Sequence, residues 1–162
     1  MTPWIPIRPN LRPWMLYRER GAPGRTPPFG DPAARWFYLA RNAVLRAAEL
    51  LGLRGAEVLV PAYHHGVEIE ALGAAGARPV FYPVGPGAEV DPDDVRRRLT
   101  PGTRALYLIH YPAAPAPARE LRALADERGL ALIEDCALVL LSKDHEDRPL
   151  GTLGDASIFC LH

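Results

Sequence analysis

Residues 104–137 read RALYLIHYPAAPAPARELRALADERGLALIEDCA, and their order decides the fold class. An apolar run, 104–111, reads as a strand. A stretch of helix formers, 117–129, ends on Gly129, and a second apolar run stops abruptly on Glu134, Asp135 and Cys136. Two strands separated by one helix imply parallel pairing, because a parallel partner needs a crossover long enough to carry a helix.

The same alternation extends outward in both directions. Residues 56–63, AEVLVPAY, form a short β-branched run closed by Pro61 and read as a buried strand. Residues 65–76, HGVEIEALGAAG, predict a helix with Val67, Leu72 and Ile69 inward, and 78–84, RPVFYPV, a second strand. Upstream, 40–55, ARNAVLRAAELLGLRG, predicts a helix with Asn42 as cap and Gly52 as stop. Asp91 followed by Pro92 and Asp94 is a strong helix start: Asp91 accepts from free amides, Pro92 is preset for the first helical position, and the acids face the positive dipole end. Residues 156–161, ASIFCL, supply a last strand. The expected fold is α/β: three layers, with a mostly parallel sheet flanked by helices on both faces.

Residues 1–33 stand apart. They are rich in Pro, Gly and Arg, with Trp4 and Trp14 as anchors, and read as an extended arm preceding a domain at 34–162. The 162 residues carry 48% apolar and 23% charged side chains at zero formal net charge, so no basic field argues for nucleic acid or an anionic membrane. No run approaches the roughly 18 apolar residues of a membrane span. The Pro- and Arg-interrupted start is unlike a secretory signal. Two cysteines, Cys136 and Cys160, fit a reducing cytosol, so a cytoplasmic location is expected. Of the 19 basic residues one alone is lysine, Lys143, in the charged stretch SKDHEDRP that reads as a solvated hairpin or loop.

In a parallel α/β sheet the ligand site lies beyond the carboxyl ends of the strands. The residues to weigh are therefore 61–65, His110 with Tyr111, Asp135 with Cys136, and 160–162. A dinucleotide site would need its glycine fingerprint after a strand, whereas GAAGARP follows a helix and precedes one. His64, His65, His110, Cys136, Cys160 and His162 are competent metal ligands but show no paired ligand spacing. Cys136 with His110 would suit a thiol nucleophile, although a cysteine directly after a strand is more often a small buried apolar residue. Asp135 is the strongest clue, since an acid where a buried strand meets the crevice needs a partner to offset its desolvation. An arginine partner or a capping role would make it purely structural.

Three blocks, VLVPAYHHGVEIEALGAAGARPVFYPV (58–84), HYPAAPAPARELRALADERGLALIEDCA (110–137) and GTLGDASIFCLH (151–162), together resemble the DegT/DnrJ/EryC1/StrS aminotransferases. The resemblance implies the large domain of the type I pyridoxal-phosphate fold, truncated, in a homodimer that builds its site from both subunits. It implies amino transfer from an amino acid donor to a keto-sugar nucleotide. On this reading Asp135 pairs with the pyridine nitrogen of pyridoxal 5'-phosphate and His65 stands where the family stacks an aromatic on the ring, a surface or capping histidine being the alternative. Arg41 and Asn42 occupy the helix start that holds the phosphate, and Cys160 replaces a phosphate-contacting serine. Leu138 stands in place of a polar residue that meets the cofactor's phenolic oxygen, and leucine cannot donate. The Schiff-base lysine is expected beyond His162, so the 162-residue chain by itself is expected not to turn over. A noncatalytic homologue serving dimerisation or ligand binding, and an unrelated α/β hydrolytic or thiol enzyme using Cys136 or Cys160, remain the competing readings.

Overall fold

The computed structural model describes residues 28–112 and 114–161; Trp4, Trp14 and His162 lie outside them. The elements run α1 (Ala40–Leu50), β1 (Glu57–Pro61), α2 (Val67–Ala74), β2 (Arg78–Tyr82), α3 (Pro92–Arg97), β3 (Thr103–Ile109), α4 (Ala118–Arg128), β4 (Ala131–Cys136) and β5 (Ala156–Phe159). They build one sheet in the order β2-β1-β3-β4-β5 with every pairing parallel. Ile109 lies opposite Asp135, and Asp135 opposite Ile158.

Alternation along the strands separates the two faces. Val58, Val60, Ala105, Tyr107, Ile109, Ile133 and Ile158 pack with Val44, Ala47 and Ala48 of α1 and Ala71 and Leu72 of α2. Their neighbours Leu59, Leu106, Leu108 and Leu132 pack with Val95 of α3 and Leu121, Leu124 and Ala125 of α4. Burial on both faces is why the strands read as continuous apolar runs rather than as alternating ones. The three-layer α/β architecture expected from the sequence is the one observed.

Local signals explain two of the helix ends. Asp91 accepts from the Asp93 amide at 2.8 Å, with Pro92 at the first helical position, as expected. Gly129 takes a left-handed conformation at the end of α4, φ 64°, which lets the Leu130 amide reach back to the Ala125 carbonyl at 2.8 Å. Two expectations are corrected. Asn42 does not cap α1: the helix begins two residues earlier, at Ala40, after an extended Leu39 that offers no side-chain cap. In α2 the side chain buried beside Leu72 and Ala71 is Glu68, while Val67 is only half-buried. Apolar periodicity misses Glu68 because its burial is polar, through a bond from the His65 amide at 2.9 Å.

One proline dictates a long-range contact. The Glu57 amide points toward β3, to the Gly102 carbonyl, and the Ala62 amide toward β2, to the Tyr82 carbonyl. Alternation therefore aims position 61 at β3, opposite the Tyr107 carbonyl, but Pro61 has no N–H to give. The Tyr82 hydroxyl supplies the donor instead, at 3.0 Å, while the residue is almost wholly buried. Tyr82→Phe is expected to leave that carbonyl unsatisfied and to lower stability by about 1–3 kcal/mol, measured as a shift in the urea midpoint. An unchanged midpoint would contradict the account.

Candidate functional site

From β1 the chain moves out to β2, then crosses back to β3 on the other side of β1. The strand order reverses between β1 and β3, and in such sheets a ligand crevice is expected beyond the carboxyl ends at that switch point. Residues 62–65 follow β1 at that edge, and His110 and Tyr111, both buried, follow β3. The Tyr111 hydroxyl donates to the Tyr63 carbonyl, and the two rings lie 5.5 Å apart. His64 stacks on Phe81 of β2 at 5.4 Å, so it is occupied in bridging β1 and β2. His65 is exposed, with its backbone amide held by Glu68.

Asp135 sits one strand further along, on the α1–α2 face, and is 8% exposed. Its Oδ2 accepts from the Tyr107 hydroxyl and its Oδ1 from the Ala137 amide at 2.9 Å. Among the described residues no ion pair joins it to arginine or lysine, so the ion-paired structural role does not apply. Burial pushes its carboxyl above the ordinary range, the Tyr107 and Ala137 bonds pull it back, and the nearby Glu68 charge pushes it further up. The net effect is upward. Among the described residues, then, no arginine or lysine is paired with this buried carboxylate.

Glu134, one residue earlier, points to the opposite face and is 1% exposed. Oε1 accepts from the amides of Leu153, at 2.6 Å, and Gly154; Oε2 accepts from the Gly151 amide at 3.2 Å and meets His110 Nε2 at 3.1 Å. Burial alone would raise this carboxyl, but the bonds from His110, Gly154 and Leu153 prevail and hold it below the usual range. Two consecutive acids thus shift in opposite directions, because one has four donors and the other has two with a like charge nearby. The turn before β5 must press close to achieve this. A Cβ on Gly154 would stand 2.7 Å from the Ala156 carbonyl oxygen and 3.2 Å from Glu134 Cγ.

The other sequence candidates fall around this centre. Arg41 and Asn42 are exposed on the first turn of α1, which carries no acidic residue. Half-buried Cys160 follows β5 and lines, with Ala40 and Ala43, a groove of about 790 Å³ between α1 and β5. Leu138 is 61% exposed. Lys143 is paired with Asp147 at 2.8 Å on a surface hairpin closed by a bridge to Pro149, the solvated role expected of it. Cys136 is buried, which raises its thiol well above the usual range, and His110 Nε2 faces Glu134 rather than sulfur, so the pair lacks the geometry of an activated nucleophile. Among the described residues no three His, Cys, Asp or Glu side chains converge as metal ligands would. Nor is any described helix long and apolar enough to cross a membrane.

A sequence model of the DegT/DnrJ/EryC1/StrS aminotransferase family matches residues 39–162. The chain belongs to the DegT/DnrJ/EryC1/StrS family. It is 35% identical over 115 residues to GDP-perosamine synthase of Vibrio cholerae, covering 70% of this chain and 31% of that protein. It is 41% identical over 106 residues to dTDP-4-dehydro-2,3,6-trideoxy-D-glucose 4-aminotransferase of Saccharopolyspora spinosa, covering 62% of this chain and 26% of the other. Its fold superposes on the aminotransferase TlmJ of Streptoalloteichus hindustanus with a TM-score of 0.69 at 34% identity, covering 74% and 33% of the two chains. The chain thus spans roughly a quarter to a third of the length of these family members.

Within the family frame, the residues that sequence reasoning passed over are Tyr107, Glu68 and Glu134. The acid pair at 134 and 135 held a readable signal, since a period of two must send neighbours to opposite faces. Tyr107 was legible only as a hydroxyl within an aliphatic run. Glu68 was hidden in a helix whose other acid, Glu70, is exposed.

Proposed function

We propose that the chain forms part of the large domain of a pyridoxal-phosphate-dependent aminotransferase that moves an amino group from an amino acid donor to a nucleotide-linked keto-sugar. Residues 34–162 make up that part and residues 1–33 an arm. The observation that carries the reading is Asp135: a buried carboxylate at the carboxyl edge of a parallel sheet, held by a hydroxyl and an amide and paired with no arginine or lysine among the described residues. A protonated pyridine nitrogen is the cation that such an acid fits, and its arrival would reverse the upward push on the carboxyl. When bound, pyridoxal phosphate supplies an electron-accepting ring that stabilises the substrate carbon as it loses a proton.

The chain's own residues would act as follows. Asp135 holds a proton on the ring nitrogen. His65, exposed beside the crevice, offers a flat ring for stacking. The first turn of α1, free of acids and side-chain caps, presents its positive end with Arg41 and Asn42 to a phosphate, and Cys160 approaches from β5. Lys143 is committed to its surface hairpin, so no amine that would carry the cofactor is assigned among the described residues. The keto-sugar substrate class is supported by the names of the relatives. A homodimer is supported by the exposed apolar surface of Trp36, Tyr38 and Leu50 around the α1 groove.

The test is equilibrium binding of pyridoxal 5'-phosphate to the chain, followed by its absorbance and by tryptophan quenching. Saturable binding that weakens in Asp135→Asn supports the reading; equal binding by the two forms refutes it. A noncatalytic relative is the competing reading, favoured by Leu138, which brings no polar atom to the site, and by Arg41 and Cys160 in place of the family's phosphate-contacting residues. An intact enzyme that binds the cofactor but transfers no amino group would establish it.

A further inference from the structure

We propose that Tyr107 is the positioning residue for Asp135, its hydroxyl aiming and anchoring the carboxylate through Oδ2. The consequence for chemistry rests on the cofactor reading above, while the positioning itself is a property of the chain alone.

Tyr107 stands on β3 opposite Ile133, one inward position before Asp135 along the shared face. Its ring is wholly buried in the α1–α2 core, and its phenol runs along that face to the neighbouring strand. The inward residues flanking it on β3, Ala105 and Ile109, are aliphatic. A hydroxyl in such a layer needs a partner, and Asp135 is the one it has. With the Ala137 amide on Oδ1, each carboxylate oxygen has one donor, one from within β3 and one from just past β4. That arrangement fixes the plane of the carboxylate rather than merely its location.

The groups around Asp135 make this donor matter. Glu68 faces it from α2, Tyr111 and His110 from the end of β3, and Cys136 from its own strand, with Glu134 turned to the other face. Glu68 disfavours the anion, and the Tyr107 hydroxyl is the largest single influence against burial. Without it Oδ2 would have no donor among the described residues, and the carboxyl would retain its proton to higher pH.

The experiment labels aspartate carboxyl carbons with 13C and follows Asp135 across pH in the cofactor-free chain. Tyr107→Phe is expected to raise its midpoint by about one unit or more. Tyr82→Phe, which removes another buried hydroxyl bonded to the same strand, should leave the midpoint in place. An unchanged midpoint in folded Tyr107→Phe, or an equal rise in Tyr82→Phe, would overturn the proposal. Should Tyr107→Phe not fold, 3-fluorotyrosine at 107 keeps the shape and donates more strongly, so the midpoint should fall; an unmoved value overturns the proposal equally. A shifted titration in a chain that binds no pyridoxal phosphate would leave Tyr107 in its role and remove the cofactor reading.

Discussion

Under the proposed function, asparagine at position 135 is expected to leave the chain folded while lowering amino transfer by about 10²–10³-fold. Folding should survive because the side-chain oxygen can still accept from the Ala137 amide, and the new amide can donate to the Tyr107 oxygen. Catalysis should not, because a neutral amide cannot hold a positive charge on the ring nitrogen. Steady-state rates at saturating cofactor measure the effect, and undiminished turnover would remove Asp135 from its role. A second readout needs no cofactor. Burial raises the folded-state carboxyl, so the favourable contribution of Asp135 is present at low pH and is lost as pH rises through that raised value. Asp135→Asn should therefore gain stability relative to the parent as pH climbs from acid toward neutral. The opposite slope would mean that the anion already has a cation partner.

Glu134→Ala should be the most destabilising single change at the site, by about 3–5 kcal/mol, out of a total of about 5–15 kcal/mol for a typical domain. It strips the acceptor from three half-buried backbone amides and from the wholly buried His110 imidazole. The turn that leads into β5 would lose its anchor, and Cys160 at the end of that strand would lose its placement. Glu134→Gln should cost about 1–3 kcal/mol, since one oxygen still serves Leu153 and Gly154 while the amide opposes the Gly151 N–H. Bonding holds the Glu134 carboxyl below its ordinary value, so its stabilisation is present above the unfolded value and is lost as pH falls through the folded one. The gap between the parent and Glu134→Gln should accordingly narrow on acidification. Urea denaturation checks both claims, and an alanine variant with the parent's midpoint would show that the turn is held by something else.

The two predictions concern adjacent residues that read very differently in sequence. Asp135 was legible because a charge ending an apolar strand is costly wherever the strand is buried. Its partner was not, because Tyr107 lies 28 residues away on another strand and becomes a neighbour only through the β3–β4 register. Glu134 read as part of the same acidic ending, yet its amide partners are 17 to 20 residues downstream, in a turn whose path sequence pattern does not specify. Asn42 shows the reverse case. Its residue type suits a cap, but packing of α1 on the sheet carried the helix back to Ala40, and tertiary contact outweighed a local preference.

By itself the sequence determined the alternation of strands and helices, their parallel pairing, the two buried faces and the edge where chemistry would gather. These follow from periodicities and crossover lengths among near neighbours. Only the tertiary structure decided that Asp135 is held by a phenol rather than an arginine, that Glu134 clamps a turn on the far face, that Glu68 is buried, and that Tyr82 makes up for Pro61. Each of those depends on strand order and register, which bring together side chains that no local rule connects.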